Sequence, residues 1–273
     1  MEIWLSRGFH GKMKYMEYHF DKRLDPVKLV PGAKSVVSLL YNYFPDEDQK
    51  NSDYKISRYA YGRDYHVVIK KKLVDLLNHI TEEVGTIQGR IFVDSAPVME
   101  RQWAAKSGLG WLGKNTLLIN KKQGSYFFIA EMILDLELNY DGPIKDFCGT
   151  CTRCLDACPT DAIIDPYILD ASKCISYVTI ELKDSIPEEF IGKYEKWIFG
   201  CDICQEVCPW NRFSKPHKES DFKKSQGVGK IVDEGWVEFT EEVFNQIFKD
   251  SPIKRTKFKG LRRNIDFITK KPR

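Results

Sequence analysis

The chain has 273 residues, of which 42% are hydrophobic and 30% charged, with a net charge of +3. This composition is typical of a soluble globular protein of one large or two ordinary domains, and it excludes a disordered chain. No apolar run approaches the roughly 20 residues that a membrane helix needs, and no secretory signal pattern is seen, so we expect a cytoplasmic protein without a membrane partner.

The first half of the chain alternates between predicted helices and strands. Residues 1–30 are helical in character, and residues 36–41 form a continuous apolar run that predicts a strand covered on both faces. Residues 64–80 place apolar side chains three and four positions apart, which predicts an amphipathic helix. The alternation indicates an α/β catalytic half that ends near residue 140.

A polar residue follows the next predicted strand. Residues 91–93 predict a short buried strand that ends at Asp94, and Ser95 with Pro97 predicts the start of a helix. Residues 116–120 and 126–134 are then predicted to pair as a hairpin. Asp94 is therefore either a functional group at the carboxyl end of a strand or a cap of the following helix.

The central motif is a cysteine run at residues 148–159. It reads Cys-Gly-Thr-Cys-Thr-Arg-Cys-Leu-Asp-Ala-Cys-Pro, the spacing with which bacterial ferredoxins hold one iron-sulfur cluster by three cysteines and contribute a fourth to another. Residues 201–209 supply a second run, Cys-Asp-Ile-Cys-Gln-Glu-Val-Cys-Pro, and Cys174 lies between the two. The spacing predicts two 4Fe-4S clusters.

The crossed ligation assigns all eight cysteines of the chain. One cluster takes Cys148, Cys151, Cys154 and Cys208, and the other takes Cys158, Cys174, Cys201 and Cys204. Disulfides are the first alternative, but a reducing compartment and a chain of this size argue against them. Zinc is the second, but it favours two well-separated Cys-x-x-Cys pairs.

The region after the clusters is predicted to be helical. Residues 187–199 have helical composition, and Thr240 is predicted to cap a last helix with Phe239 and Phe244 as a hydrophobic staple. Residues 251–273 carry nine basic residues and one acidic residue, a net charge of +8. Such a tail suits nucleic acid, or it is a solvated basic terminus. The basic residues are Lys254, Arg255, Lys257, Lys259, Arg262, Arg263, Lys270, Lys271 and Arg273.

Five motifs in order resemble the epoxyqueuosine reductase family. They are Arg-Tyr-Ala-Tyr-Gly-Arg-Asp-Tyr-His at 58–66, Val-Asp-Ser-Ala-Pro-Val-Met-Glu-Arg at 93–101, Ser-Gly-Leu-Gly-Trp-Leu-Gly-Lys-Asn at 107–115, and the two cysteine runs, the second continuing to Trp210-Asn211. The glycine motif does not predict a dinucleotide site, because it follows a helix and precedes a strand. Relative to that family, we expect an N-terminal strand and helix and a helical-repeat extension to be lacking.

The resemblance implies a fold, a reaction and two kinds of cofactor. The fold is an α/β (α+β) cobalamin-binding domain of the nitroreductase-like, reductive dehalogenase type at residues 1–140. A two-cluster ferredoxin-like domain at 141–215 and a helical, basic segment at 216–273 follow. The reaction is the reduction of epoxyqueuosine to queuosine at the wobble position of a tRNA anticodon, with cobalamin as the reducing centre fed by the clusters.

The resemblance also implies site residues and partners. Asp94 corresponds to the proton donor, and the basic residues from Lys254 to Arg263 are candidates for holding the tRNA. A soluble one-electron donor of the ferredoxin or flavodoxin type and a monomeric state are expected. Candidate cofactor contacts are Arg58, Asp94, Ser95, Ser107, Gly113, Lys114 and Asn115, while Arg63, Asp64, Tyr65 and His66 could hold either the cofactor or the tRNA.

Two other functions use similar parts. A cobalamin-dependent reductive dehalogenase also has two clusters, but it gives no reason for the basic tail. A non-catalytic two-cluster electron-transfer protein leaves the N-terminal half unexplained.

Overall fold

The structure is a computed structural model that describes residues 1–47, 49 and 52–269. Lys270, Lys271 and Arg273 of the basic tail lie outside the described residues. Within the described part of the chain, none of the helices combines the length and the apolar character that crossing a bilayer requires.

The N-terminal half is built on an antiparallel three-stranded sheet, which follows four short helical segments. The helices are α1 (Glu2–Ser6), a 3-10 turn (Lys14–Met16), α2 (Phe20–Leu24) and α3 (Pro26–Leu29). The sheet has β6 (Phe127–Leu134) at its centre, flanked by β1 (Ser35–Asn42) and β3 (Gly89–Phe92). The strand predicted at residues 36–41 is confirmed as β1.

Helices cover both faces of this sheet. The 20-residue helix α4 (Tyr65–Val84) packs its apolar side, including Val68, Ile69 and Leu73, against Ala130 and Met132 of β6. The predicted amphipathic helix is confirmed, and the Asp64 side chain caps it by accepting from the His66 amide. On the other face, Phe92 and Ile133 pack with residues of α3 and its following loop, and α5 (Glu100–Lys106) also contacts this sheet.

The remaining elements are short and lie between or after the cysteine runs. They are β2 (Lys55–Ile56), β4 (Trp111–Leu112), β5 (Leu118–Ile119), α6 (Arg153–Asp156), β7 (Ile163–Asp165), β8 (Ile168–Leu169), α7 (Ile175–Ile180), β9 (Trp197–Phe199), α8 (Ile203–Glu206), α9 (Gln226–Val232), α10 (Glu241–Ile247) and α11 (Lys257–Ile268). Thr240 caps α10, and Phe239 stacks on Phe244, as the staple predicts.

Three local predictions are wrong. The helix predicted at Ser95 and Pro97 begins later, at Glu100. The predicted hairpin does not form, because β5 pairs with β4 whereas β6 lies in the three-stranded sheet. Residues 187–199 contain a 3-10 turn and the buried strand β9, which pairs in parallel with β2.

The hydrophobic cores contain residues from both sides of the predicted domain boundaries. The division of the chain at those boundaries remains a prediction. Ile56 and Tyr61 of the N-terminal half share a core with Phe199 and with residues of α9, α10 and α11. Trp4 and Met13 pack against a second core around α7 that includes Phe267. The C-terminal segment is thus part of the structural support of the cysteine runs.

Candidate active site and cluster sites

Four cysteines line one cavity of about 230 Å³. They are Cys148, Cys151, Cys154 and Cys208, the set that the crossed spacing assigns to one cluster. We refer to this cavity as the outer cluster site. The indole N–H of Trp111 donates to the Cys148 sulfur at 3.4 Å. Trp210 lines the cavity and packs edge-on against Trp111 at 5.1 Å.

The other four cysteines are the set predicted to hold the second cluster, and we call their position the inner cluster site. Cys158, Cys174, Cys201 and Cys204 lie close enough for their charges to affect one another. Burial raises the pKa of Cys174, Cys201 and Cys204, with a further contribution from neighbouring thiolates. The thiolates therefore need the positive charge of bound iron, as expected of cluster ligands.

The glycine motif at residues 107–115 supports the cysteine loops. The Lys114 ammonium donates to the carbonyls of Gly149 and Cys151 at 2.7 and 3.0 Å. The Asn115 amide donates to the carbonyl of Cys204 at 3.3 Å. A side chain at Gly113 would meet the side chains of Ile119 and Asn115, so it would have to displace them.

Arg58 connects the N-terminal half to the second cysteine run. Its buried guanidinium donates to Asp202 at 3.2 Å and to Glu206 at 2.5 Å, and its amide N–H also donates to Asp202. The Ser57 hydroxyl donates to the same Asp202 carboxylate. Because Asp202 follows Cys201 directly, this network fixes the inner cluster site against β2.

A larger cavity of about 790 Å³ contains Asp94, and we call it the Asp94 cavity. Aromatic side chains form much of its wall: Tyr15, Tyr43, Tyr59, Tyr65, Phe127, Phe128 and Tyr177. Cys174 of the inner cluster site reaches it, whereas no cysteine of the outer site does. The other predicted cofactor contacts do not line this cavity. They are Arg58, Ser95, Ser107, Gly113, Lys114 and Asn115.

Asp94 lies in the loop that follows β3. Its backbone has a left-handed φ of 45°, which Asp tolerates better than most residues. The Tyr65 hydroxyl donates to its carboxylate at 2.6 Å, and its own amide N–H donates to Glu100 at 2.6 Å. Its side chain is 66% exposed, so the described residues alone do not enclose it. Asp94 does not cap α5, which begins six residues later.

His66 stands beside Asp94 and is oriented by Asp64. Its Nδ1 lies 2.7 Å from Asp64 Oδ1, and its Nε2 lies 4.0 Å from Asp94 Oδ2. Burial lowers the pKa of His66, but the hydrogen bond and charge of Asp64 outweigh burial, so the pKa is raised overall. The imidazole is therefore held in one orientation with a nitrogen toward the Asp94 carboxylate.

A buried acid behind Asp94 was missed from the sequence. Glu131 on β6 is fully buried, and its carboxyl oxygens, like the hydroxyl of the opposite Ser38, have no hydrogen-bond partner among the described residues. Burial and the nearby charge of Glu100 raise the pKa of Glu131 to about 9. Burial and the nearby charge of Asp94 raise the pKa of Glu100 to about 8. The sequence signal that could have identified Glu131 is a single acidic residue within the apolar run 127–134.

The basic tail divides into three groups. Lys254 and Arg255 line the Asp94 cavity together with Lys249, and Arg255 pairs with Glu181 at 2.7 Å. Arg263 instead donates to the carbonyls of Val178, Leu182 and Asp184, and Arg262 pairs with Asp266 at 3.1 Å. Lys257 and Lys259 are exposed on α11 and do not line the cavity.

Comparisons with known proteins identify the family. The family described as epoxyqueuosine reductase QueG, DUF1730, matches residues 23–95, and the 4Fe-4S double cluster binding domain matches residues 147–211. The epoxyqueuosine reductase of Cyclobacterium marinum is 61% identical over 98% of this chain and 86% of that protein. The chain belongs to the epoxyqueuosine reductase family. The Escherichia coli epoxyqueuosine reductase is 40% identical over 97% of this chain and 72% of its own length.

Solved structures of epoxyqueuosine reductases have the same fold. One, with an epoxyqueuosine-modified tRNA-Tyr stem loop, superposes with a TM-score of 0.86 at 30% identity, covering 97% of this chain and 72% of that one. The Bacillus subtilis reductase, solved with its catalytic loop swung out of the active site, also has a TM-score of 0.86, at 29% identity and the same coverage. The predicted fold class and double-cluster region are confirmed, and membership in this reductase family sets aside the dehalogenase and electron-transfer alternatives.

Proposed function

We propose that this epoxyqueuosine reductase carries out its reaction in the Asp94 cavity, reducing epoxyqueuosine at the wobble position of tRNA to queuosine. The observation that carries the proposal is the convergence of three groups on one cavity. Asp94 supplies an acid, Cys174 brings the inner cluster site to the wall, and Lys254 with Arg255 supplies positive charge. A relative solved with a modified tRNA stem loop supports the assignment of substrate.

The cavity suits the cobalamin that the family implies. Its aromatic walls can pack on a flat macrocycle, and the hydroxyls of Ser176 and Ser251 can hydrogen-bond to the peripheral amides. His66 is the one histidine among the residues that line it, and Asp64 already engages its ring. Bound cobalamin would supply the redox-active cobalt centre that delivers two electrons to the substrate.

Asp94 is assigned to proton delivery. Reducing an epoxide to an alkene consumes two electrons and two protons, and its oxygen leaves as water, so an acid must stand at that oxygen. Tyr65 occupies one oxygen of the Asp94 carboxyl group, which leaves the other free to carry a proton. A bound cofactor and nucleoside would cover the exposed side of Asp94 and exclude water.

His66 is assigned to returning a proton to Asp94. Its Nε2 lies 4.0 Å from Asp94 Oδ2, the oxygen that also accepts from Tyr65. One water molecule or a small rotation of the carboxyl group would therefore bring the proton to the other oxygen. Asp64 orients the ring and favours its protonated form. This arrangement would restore the acid while the tRNA still covers the cavity.

Electrons are assigned a path from the outer to the inner cluster site. The charge of Cys154 in the outer site reaches Cys204 in the inner site, so the two groups are neighbours. Only the inner site reaches the Asp94 cavity, through Cys174. Single electrons would therefore enter at the outer cluster and leave through the inner one.

The tRNA is assigned to the side of the cavity formed by the C-terminal segment. An anticodon loop offers unstacked bases, so the modified base can enter the cavity while cations hold the flanking phosphates. Lys249, Lys254 and Arg255 stand where those phosphates would lie. A tRNA substrate also accords with a cytoplasmic location, and the monomeric state stays a prediction.

Reaction of the reconstituted protein with isolated tRNA tests this function. Anaerobically prepared protein carrying clusters and cobalamin is incubated with epoxyqueuosine-containing tRNA and a reductant, and the digested nucleosides are analysed by mass spectrometry. Conversion of epoxyqueuosine to queuosine, with loss of one oxygen atom, is expected. Unchanged nucleoside in a preparation with full cluster and cobalamin content would contradict the proposal.

Replacing Asp94 by Asn tests the site within the same assay. The amide retains the size of the side chain but cannot donate the acidic proton, so turnover should fall by about 100-fold or more. Cluster and cobalamin content should be retained. Asp141→Asn, an exposed change outside the Asp94 cavity, is the matched control and should leave turnover unchanged.

A further inference from the structure

The outer cluster site opens onto a basic surface. Lys114, Arg153 and Arg212 line its cavity, and no acidic residue does so among the described residues. A neighbouring groove of about 510 Å³ shares Arg153 and Arg212 and adds Lys55. The acid in that groove, Glu206, is paired with Arg58. Lys55 is paired with Glu195 at 3.8 Å, and Asp146 adds a negative charge near Cys148. The three cations that line the outer cluster site, Lys114, Arg153 and Arg212, outnumber this acid.

Exposed aromatic rings accompany these cations. Phe147 is 37% exposed and lies under the Lys121 ammonium, 4.7 Å from the ring centroid. Phe213 is 38% exposed and lies under the Arg212 guanidinium at 4.5 Å. We call Phe147, Phe213, Lys121, Arg153 and Arg212 the outer patch. Aromatic residues and arginine are enriched at protein interfaces, whereas a purely solvated charged surface needs no exposed phenylalanine.

The position of the outer patch indicates an electron-entry surface. The patch surrounds the cysteines that do not reach the Asp94 cavity, and none of its five residues lines that cavity. A donor docked here would approach the outer cluster closely while the Asp94 cavity stays accessible to tRNA. RNA phosphates bound at the outer patch would instead lie at a site that lacks both Asp94 and Cys174.

We propose that the outer patch is the docking site of a small, acidic one-electron donor protein that carries a flavin centre, of the flavodoxin type. This inference rests on the proposed function and names the partner surface that supplies its electrons. At each encounter the reduced donor would lose one electron, and a cluster held by Cys148, Cys151, Cys154 and Cys208 would gain it. Two encounters therefore support the reduction of one epoxide. Complementary charge would speed association and make it sensitive to salt.

Charge reversal at two outer-patch residues tests the inference. Lys121→Glu with Arg212→Glu removes both cation–aromatic pairs, and among the described hydrogen bonds neither side chain holds a cysteine loop. Lys70→Glu with Lys71→Glu on α4 makes the same change in net charge at exposed positions and is the matched control. Iron content should match the wild type in both variants. The midpoint potential of the outer cluster is measured in each variant, because Arg212 lines its cavity and a reversed charge there changes the driving force of reduction.

Cluster reduction by reduced flavodoxin is followed by stopped-flow absorbance without tRNA. The outer-patch variant should be reduced at least about tenfold more slowly than wild type at low salt, with a flatter salt dependence. The α4 control should resemble wild type. Reduction by dithionite should be equally fast in all three proteins, because a small reductant needs no docking surface.

The outcomes separate this inference from the proposed function. Unchanged flavodoxin kinetics in the outer-patch variant would overturn the donor surface. Weakened tRNA binding with unchanged flavodoxin kinetics would also overturn it and assign the patch to RNA. Because cluster reduction is measured without substrate, a wild-type enzyme that accepts electrons but does not convert tRNA would contradict only the proposed function.

Discussion

The hydroxyl of Tyr65 donates a 2.6 Å hydrogen bond to the carboxylate of Asp94, joining the first turn of α4 to the loop after β3. Residues far apart in the chain thus form one acidic site. The Tyr65 ring is itself fixed by stacking on Phe128 at 4.2 Å. The orientation of the proposed proton donor therefore depends on the packing of α4 against the sheet.

Tyr65→Phe should retain this stacking and remove the hydrogen bond. We expect turnover to fall by about tenfold, less than for loss of the acid itself, because the carboxyl group remains but is no longer oriented. Cobalamin and iron content should not change. Tyr59→Phe in the same cavity is the control, and equal losses in the two variants would contradict a specific role for Tyr65.

Cys174→Ala should remove the inner cluster selectively. Iron content should fall from about eight to about four atoms per chain, because each cubane needs its full set of cysteines. Electron paramagnetic resonance of the reduced protein should retain the signal of the outer cluster. Loss of both clusters, or of neither, would contradict the crossed assignment.

Glu131→Gln should alter the pH dependence of stability. The pKa of Glu131 is raised to about 9 in the folded protein, above its unfolded value, so the stability associated with its neutral form is present at low pH and is lost as pH rises toward 9. The wild-type melting temperature should therefore fall between pH 6 and pH 9 by more than that of the variant. Parallel curves for the two anaerobic proteins would show that Glu131 does not titrate in this range.

Lys254→Ala with Arg255→Ala should weaken tRNA binding. The slope of log affinity against log salt should flatten by about 0.7 for each lost phosphate contact with a single strand. Lys257→Ala with Lys259→Ala makes the same charge change on α11, outside the Asp94 cavity, and should have a much smaller effect. Equal effects of the two pairs would indicate non-specific attraction by the whole tail.

Local structure could be predicted from the sequence at positions, such as helix caps, that strongly favour one type of side chain. Asp64 caps α4 and Thr240 caps α10 because short polar side chains satisfy free amides at helix starts. The helix predicted at residues 187–199 is wrong because amino-acid composition carries little information about the sign of the backbone angle φ. Gly192, Glu195 and Lys196 have positive φ, which ends any helix before Trp197 enters the core as a strand.

The sequence by itself predicted the two cluster sites, because cysteine spacing is a covalent constraint on which thiolates can reach one cubane. Its motifs also pointed to Asp94. Tertiary structure decided which groups surround that acid. Tyr65 comes from a helix, Glu131 from a central strand and Arg255 from the C-terminal segment, and no local pattern encodes their proximity. It also showed that Arg263 supports the backbone, because a guanidinium surrounded by main-chain carbonyls is saturated within the protein.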